Sequence, residues 1–144
     1  FYQARHQSFR ARWSAATVRW ETQAAPLRGA AVVVHHKAFP YLSHWLGLKE
    51  VAVLEPKPGV EPTATHLAGI LAQLKTEPAR LVLRGSYNDP RPAQWLGERA
   101  NTPVVALPLT VGATEGAKDL FALFDDILAA GYTLLCLALV KSVL

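Results

Sequence analysis

The stretch that most constrains the fold is AAVVV, residues 30–34. It is a continuous run of small and β-branched side chains, which is typical of a strand buried on both faces of a parallel sheet. Three more short apolar runs follow it, at residues 51–54, 81–83 and 104–107. Helical patterns separate the runs, and strands that alternate with helices indicate an α/β fold. The sequence therefore predicts a four-stranded, mostly parallel sheet with flanking helices.

The separating segments carry helix start signals. A short helix is predicted over residues 38–46, and Thr63 is a suitable N-cap for the next helix. Pro90 opens another helix, because proline at the first helical position loses no hydrogen bond there. The last helix is predicted to begin at about Ala117, with an apolar side that comprises Leu120, Phe121, Phe124, Ile127 and Leu128.

A long amphipathic helix precedes the first strand. The residues of one helix face recur at alternating spacings of four and three, namely Tyr2, His6, Phe9, Trp13, Ala16 and Trp20. Pro26 and Gly29 end this helix, which is longer than a crossover between two strands requires. We interpret residues 1–25 as a separate long helix and residues 26–144 as the α/β unit.

The charge pattern does not favour a nucleic-acid partner. The chain has a formal net charge of +4, an isoelectric point near 9.5 and 51% hydrophobic residues. Its basic residues are scattered, and Arg5, Arg10, Arg12 and Arg19 share the first helix with Glu21. A solvated helix face explains these arginines better than a basic binding patch does.

The two ends of the chain have patterns of their own. Residues 1–12 lack the basic leader, apolar core and cleavage site of a signal peptide, so a mature or truncated product is expected. Residues 127–140 are apolar apart from Thr133, but a membrane-crossing helix needs about 20 residues. We therefore expect a buried terminal helix or an altered end, and we set residues 131–144 apart as an apolar tail.

The sequence VVVHHKAFPYL, residues 32–42, resembles the strand, His-x-Ala-Phe and aromatic pattern of the zinc/manganese solute-binding proteins of ABC importers. Further landmarks of that family follow in order: WLGL at residues 45–48, LEPKPG at 54–59, HL at 66–67 and YNDPR at 87–91. The ordered agreement covers about residues 13–127, and a chance match of one short motif does not produce such an order.

The resemblance implies an architecture and a function. The family has two α/β lobes joined by a rigid long helix, with one metal ion bound between the lobes, and it includes proteins of cell adhesion. By resemblance, residues 1–25 are the connecting helix, residues 26–144 are the carboxy-terminal lobe, and the amino-terminal lobe is absent. The implied function is capture of the ion in the periplasm and its delivery to a membrane permease, without chemical conversion.

The resemblance also implies a metal ligand. His36 matches the family's ligand because it stands two residues before Ala-Phe, and it follows the first strand, where open α/β sheets bind ligands. His35 and His44 are weaker candidates. Neighbours on a strand point to opposite faces, so His35 and His36 are not expected to bind one ion. His44 is expected at a helix end or on the surface.

Zinc is the favoured metal, with manganese as the alternative. The third strand ends in Arg84-Gly85-Ser86 and the fourth in Leu107-Pro108, so neither offers a carboxylate. Cys136 is the only cysteine, which excludes a cysteine-based zinc knuckle. A histidine-dominated site suits zinc, whereas manganese prefers oxygen ligands. By resemblance, the absent lobe would supply two further histidines, and water or an unrecognised carboxylate would complete the shell.

Two other functions compete with the carrier. A metal-dependent enzyme or chelatase would need a general base near the histidine, yet Glu55 and Glu61 lie in a proline-rich loop without a matching spacing. The other alternative is a truncated fragment without metal binding of its own. Such a fragment would expose the face between the lobes and dimerise through it.

Overall fold

The computed structural model describes the backbone of residues 1–141 and the side chains of residues 1–131. The elements are α1 (Tyr2–Ala24), a 3₁₀ turn (Ala25–Leu27), β1 (Ala31–Val34), α2 (Pro40–Leu46), β2 (Lys49–Val53), α3 (Ala64–Gln73), β3 (Leu81–Gly85), α4 (Pro90–Ala100), β4 (Val104–Leu107) and α5 (Leu120–Lys141). Strands and helices alternate after α1, and the predicted α/β class is confirmed. Within the described residues, no helix is both long enough and apolar enough to span a membrane.

The sheet has the strand order β2-β1-β3-β4, and every neighbouring pair is parallel. All four carboxyl ends therefore lie along one edge of the sheet. The order reverses between β1 and β3, because β1 connects to β2 on one side while β3 continues to β4 on the other. Such a reversal opens a crevice at the carboxyl edge, where open α/β sheets bind their ligands.

Each face of the sheet has its own core. Val32 and Val34 of β1 belong to the core beneath α1 and α5, whereas Val33 between them belongs to the core beneath α3 and α4. The alternation follows from the two-residue period of a strand. All three valines are fully buried, as the β-branched run predicts for a central strand.

Aromatic packing attaches α1 to the rest of the fold. Trp20 is fully buried and stacks on Phe124 of α5 at a ring distance of 4.9 Å, and Trp13 meets Phe121 edge to face. The first two turns of α1 extend beyond this contact, and Phe1 and Tyr2 are more than 80% exposed. The helix thus packs on α5 from Phe9 onward, since the Phe9 ring meets Phe121 at 5.9 Å.

Three predicted boundaries differ from the structure. The last helix begins at Leu120 rather than at about Ala117, because the Asp119 carboxylate accepts the backbone N–H of Ala122 as an N-cap. The second helix begins at Pro40 rather than residue 38. The second strand begins at Lys49 rather than residue 51. In the apolar tail, α5 continues to Lys141, and residues 142–144 lie outside the described residues.

Candidate metal site

His36 lies just beyond the end of β1, at the carboxyl edge of the sheet. Its side chain keeps 33% of its surface exposed. The ring borders a cavity of about 430 Å³ together with Lys37, Glu55, Lys57 and His66. An accessible imidazole at a strand end has the position and the chemistry of a divalent-metal ligand.

The sequence interpretation set Glu55 aside as a general base and missed its contact with His36. Glu55 Oε2 lies 2.7 Å from His36 Nδ1, although the proline-rich loop gave no spacing that linked the two residues. The backbone brings them together: the N–H of Leu54 donates to Val34 O at 2.9 Å, and that of Glu55 donates to His35 O at 3.0 Å. Glu55 thus follows β2 as His36 follows β1. Each of the two residues stands two positions after the end of its strand, and this shared position is the signal that was available in the sequence.

His35 points to the opposite side of the strand. It is buried and borders a different cavity, of about 560 Å³, with Asp89 and Trp95. Its Nε2 lies 3.8 Å from Glu55 Oε1, and its Nδ1 has no hydrogen-bond partner. Burial lowers the pKa of His35, while the charge of Glu55 opposes that effect. The two adjacent imidazoles therefore line separate cavities, with Glu55 between them.

The other histidines lie apart from this arrangement or are already bonded. His44 is exposed in the last turn of α2 and does not border the His36 cavity. His66 borders that cavity, but its Nε2 lies 3.0 Å from Val53 O. His6 stacks on Tyr2 in the exposed half of α1.

The ends of β3 and β4 contribute no carboxylate next to His36. Arg84 turns its guanidinium to the carbonyl oxygens of Gly85 and Asn88. Asp89 borders the His35 cavity, where its hydrogen bonds with Arg91 lower the pKa of the Asp89 carboxyl to about 2. Among the described residues, no group of three or more histidine, cysteine or acidic side chains is arranged to hold a metal ion.

Comparisons with known proteins agree with the fold. The chain superposes on the laminin-binding protein Lmb of Streptococcus agalactiae with a TM-score of 0.71 and 21% identity over 93% of this chain and 52% of Lmb. FpvC of Pseudomonas aeruginosa gives a TM-score of 0.67 at 18% identity, over 94% and 50% of the two chains. A crystal structure of ZnuA gives 0.63 at 19%, over 95% and 47%.

This chain spans about half the length of each of these structures. No curated protein sequence matches the chain. The family model described as "ZnuA: Zinc-uptake complex component A periplasmic" matches residues 1–130. Because that match covers most of the chain, the protein belongs to the zinc-uptake complex component A family.

Proposed function

We propose that this chain forms the carboxy-terminal lobe and connecting helix of a periplasmic metal carrier. In this proposal, α1 joins two lobes, residues 26–144 form the second lobe, and His36 binds a divalent cation through Nε2. The complete carrier releases the cation to an ABC permease in the membrane. The relatives are twice as long as this chain, which leaves room for the opposite lobe.

The observation that carries the proposal is the geometry of His36. The ring lies at the carboxyl edge of the sheet, beside the strand where the order reverses, and it keeps a third of its surface accessible. Its Nδ1 is engaged by Glu55, so Nε2 is the nitrogen that remains for a ligand. Family membership supports a cation as that ligand.

Zinc is the proposed cargo. The relatives differ in their metals, since FpvC structures contain Mn²⁺ or Ni²⁺ whereas the family description names zinc uptake. The imidazoles of His36 and His66 border the cavity, and imidazole suits zinc better than manganese. Glu55 is the carboxylate at the cavity, and its Oε2 is occupied by His36.

One lobe supplies too few ligands for tight binding. A closed zinc site has four ligands. Two imidazoles border this cavity, those of His36 and His66, so at least two ligands are missing. Lys37 and Lys57 also border it, and their charges repel a cation. We therefore expect weak zinc binding by this chain alone, with the remaining ligands supplied from the opposite lobe.

Glu55 bears on the choice between a carrier and a metal-dependent enzyme. A general base in such an enzyme must reach a water molecule on the metal. Glu55 instead contacts Nδ1, on the side of the ring opposite the Nε2 donor. A carboxylate in this position orients the ligand and is not placed to act as that base, so we propose capture and release without chemical conversion.

Calorimetric titration with zinc tests the proposal. The unaltered chain is expected to bind zinc weakly at one site. Loss of a hydrogen-bond partner of a metal ligand lowers the metal affinity by about 10–100-fold. His36→Ala removes the ligand itself, so its affinity for zinc should fall by more than that. His44→Ala is the matched control, because it removes an exposed imidazole away from the cavity, and it should bind like the unaltered chain. Equal binding by the unaltered chain and His36→Ala would reject the proposed site.

Delivery to a permease needs a separate test. A chimera in which this chain replaces the matching half of ZnuA restores the two-lobed form. We expect it to support zinc accumulation in cells that lack their own carrier, and His36→Ala in the chimera should abolish that uptake. Uptake that is indifferent to His36 would contradict the proposed route.

We also propose that the chain in isolation associates with itself. An apolar cavity of about 590 Å³ is bordered by α1, α2, α5 and the segment after β4, with Trp13, Leu42 and Leu109 among its lining residues. Tyr41 beside it is 90% exposed. Exposed apolar surface of this kind favours association. Light scattering over a concentration series should show a dimer, and a monomer at all concentrations would exclude this association.

A further inference from the structure

We propose that Glu55 is a positioning residue that fixes the tautomer of His36 and so leaves Nε2 ready for a divalent cation. This inference rests on the proposed function, because it concerns the same imidazole. The proposed role is indirect, because Glu55 contacts the imidazole ring of His36 and not the cation.

The tautomer follows from hydrogen-bond chemistry. An ionised carboxylate only accepts hydrogen bonds, so the 2.7 Å contact between Glu55 Oε2 and His36 Nδ1 requires the proton on Nδ1. Neutral imidazole carries one proton, and Nε2 then keeps its lone pair. Among the described residues, Glu55 is the hydrogen-bond partner of His36 Nδ1, so its carboxylate is the group that holds the proton there.

The structure holds Glu55 in place for this contact. The N–H of Glu55 extends the pairing of β1 and β2 by donating to His35 O, and the Glu55 side chain is only 16% exposed. The N–H of Gly59 also approaches Oε2, at 3.4 Å. Gly59 has a φ of +76°, a conformation that glycine adopts without strain, and this turn directs its N–H back to the carboxylate.

Both carboxylate oxygens have neighbours other than His36 Nε2. Oε2 faces His36 Nδ1 and the Gly59 N–H, and Oε1 faces the buried ring of His35. Glu55 thus acts through the ring. A carboxylate partner on the far nitrogen also raises the basicity of the donor nitrogen, and its loss costs about 10–100-fold in metal affinity.

Two measurements on the 144-residue chain test this role. Nitrogen-15 NMR of the imidazole rings, without metal, reports which His36 nitrogen carries the proton, and His36→Ala assigns the signals. Competition with a chromophoric chelator measures the affinity for Zn²⁺. The variants are Glu55→Ala, the isosteric Glu55→Gln, and Glu61→Ala as a matched control, since Glu61 is an exposed acid of the same loop without a contact to His36.

In the unaltered chain, we expect the proton on Nδ1. Glu55→Ala should shift the population toward Nε2–H and weaken zinc binding by about 10–100-fold. Glu55→Gln keeps a neutral acceptor and the shape of the side chain, so both changes should be smaller. Glu61→Ala should alter neither measurement.

An unchanged Nδ1–H population in both Glu55 variants would overturn the proposal, and so would weaker zinc binding without any change of tautomer. Failure of the role of Glu55 can be distinguished from failure of the proposed metal site. If His36→Ala binds zinc like the unaltered chain, the metal site itself is wrong and Glu55 has no ligand to position, whatever the tautomer.

Discussion

The indole Nε1–H of Trp20 donates to Asp125 Oδ1 at 2.7 Å, and this hydrogen bond joins the buried half of α1 to α5. Arg19 donates to the same oxygen from the solvent side, also at 2.7 Å. Partial burial acts to raise the pKa of Asp125, but the hydrogen bonds from Trp20 and Arg19 outweigh it, and the net shift is downward. The Asp125 carboxylate thus accepts two hydrogen bonds from the long helix, beside the aromatic contacts between α1 and α5.

Trp20→Ala should destabilise the fold by about 3–5 kcal/mol, because it leaves a cavity in the core and removes the bond to Asp125. Val18→Ala on the same helix is the control, since Val18 is 65% exposed and its truncation should change stability by less than about 0.5 kcal/mol. Chemical denaturation measures both variants. Similar stabilities for the two would show that α1 is not held by the packing of Trp20.

Gly97→Ala should destabilise the chain by about 1–3 kcal/mol. A Cβ at Gly97 would lie 2.5 Å from the Val104 side chain and 2.7 Å from the Thr102 carbonyl oxygen, so α4 would have to move away from β4. Gly69→Ala provides the opposite case. Gly69 lies on the exposed side of α3, where an added Cβ would meet nothing within 4 Å. The better helix propensity of alanine should therefore raise the free energy of unfolding by about 0.8–1 kcal/mol. Denaturant unfolding of both variants should give changes of opposite sign.

The contribution of Asp89 should depend on pH. Its pKa is lowered from 3.8 to about 2 by its hydrogen bonds with Arg91, so its charge stabilises the fold above pH 3.8 and stops doing so as the pH falls toward 2. Asp89→Asn keeps a capping side chain for α4 but removes the charge. The difference in Tm between the two proteins should be largest at neutral pH and should shrink as the pH falls from 3.8 toward 2. A difference that does not vary with pH would exclude this contribution.

The presence of the four strands was predictable because each contains a run of β-branched or apolar residues. The lengths of the strands were not predictable. β2 begins at Lys49, two residues before the apolar run, because the Lys49 N–H donates to Ala30 O and continues the ladder with β1. β3 likewise continues through Arg84, which pairs with Ala106 of β4. Main-chain pairing extends these strands through charged residues, and hydrophobic pattern alone does not report it.

The site was predictable only where a motif marks it. His36 was assigned from the His-x-Ala-Phe pattern, and its role as a ligand stays a prediction. Glu55 was missed because its partner is nineteen positions away in sequence and becomes a neighbour only through the pairing of β1 with β2. Strand order, rather than spacing along the chain, determines which loop residues meet at the carboxyl edge.

The most direct test of the account is the location of zinc in crystals of this chain grown with Zn²⁺. Anomalous diffraction at the zinc edge should place the ion about 2.0–2.1 Å from Nε2 of His36, with Glu55 still hydrogen-bonded to Nδ1. An ion bound at His35, at His44 or elsewhere, with His36 Nε2 left free, would contradict the account.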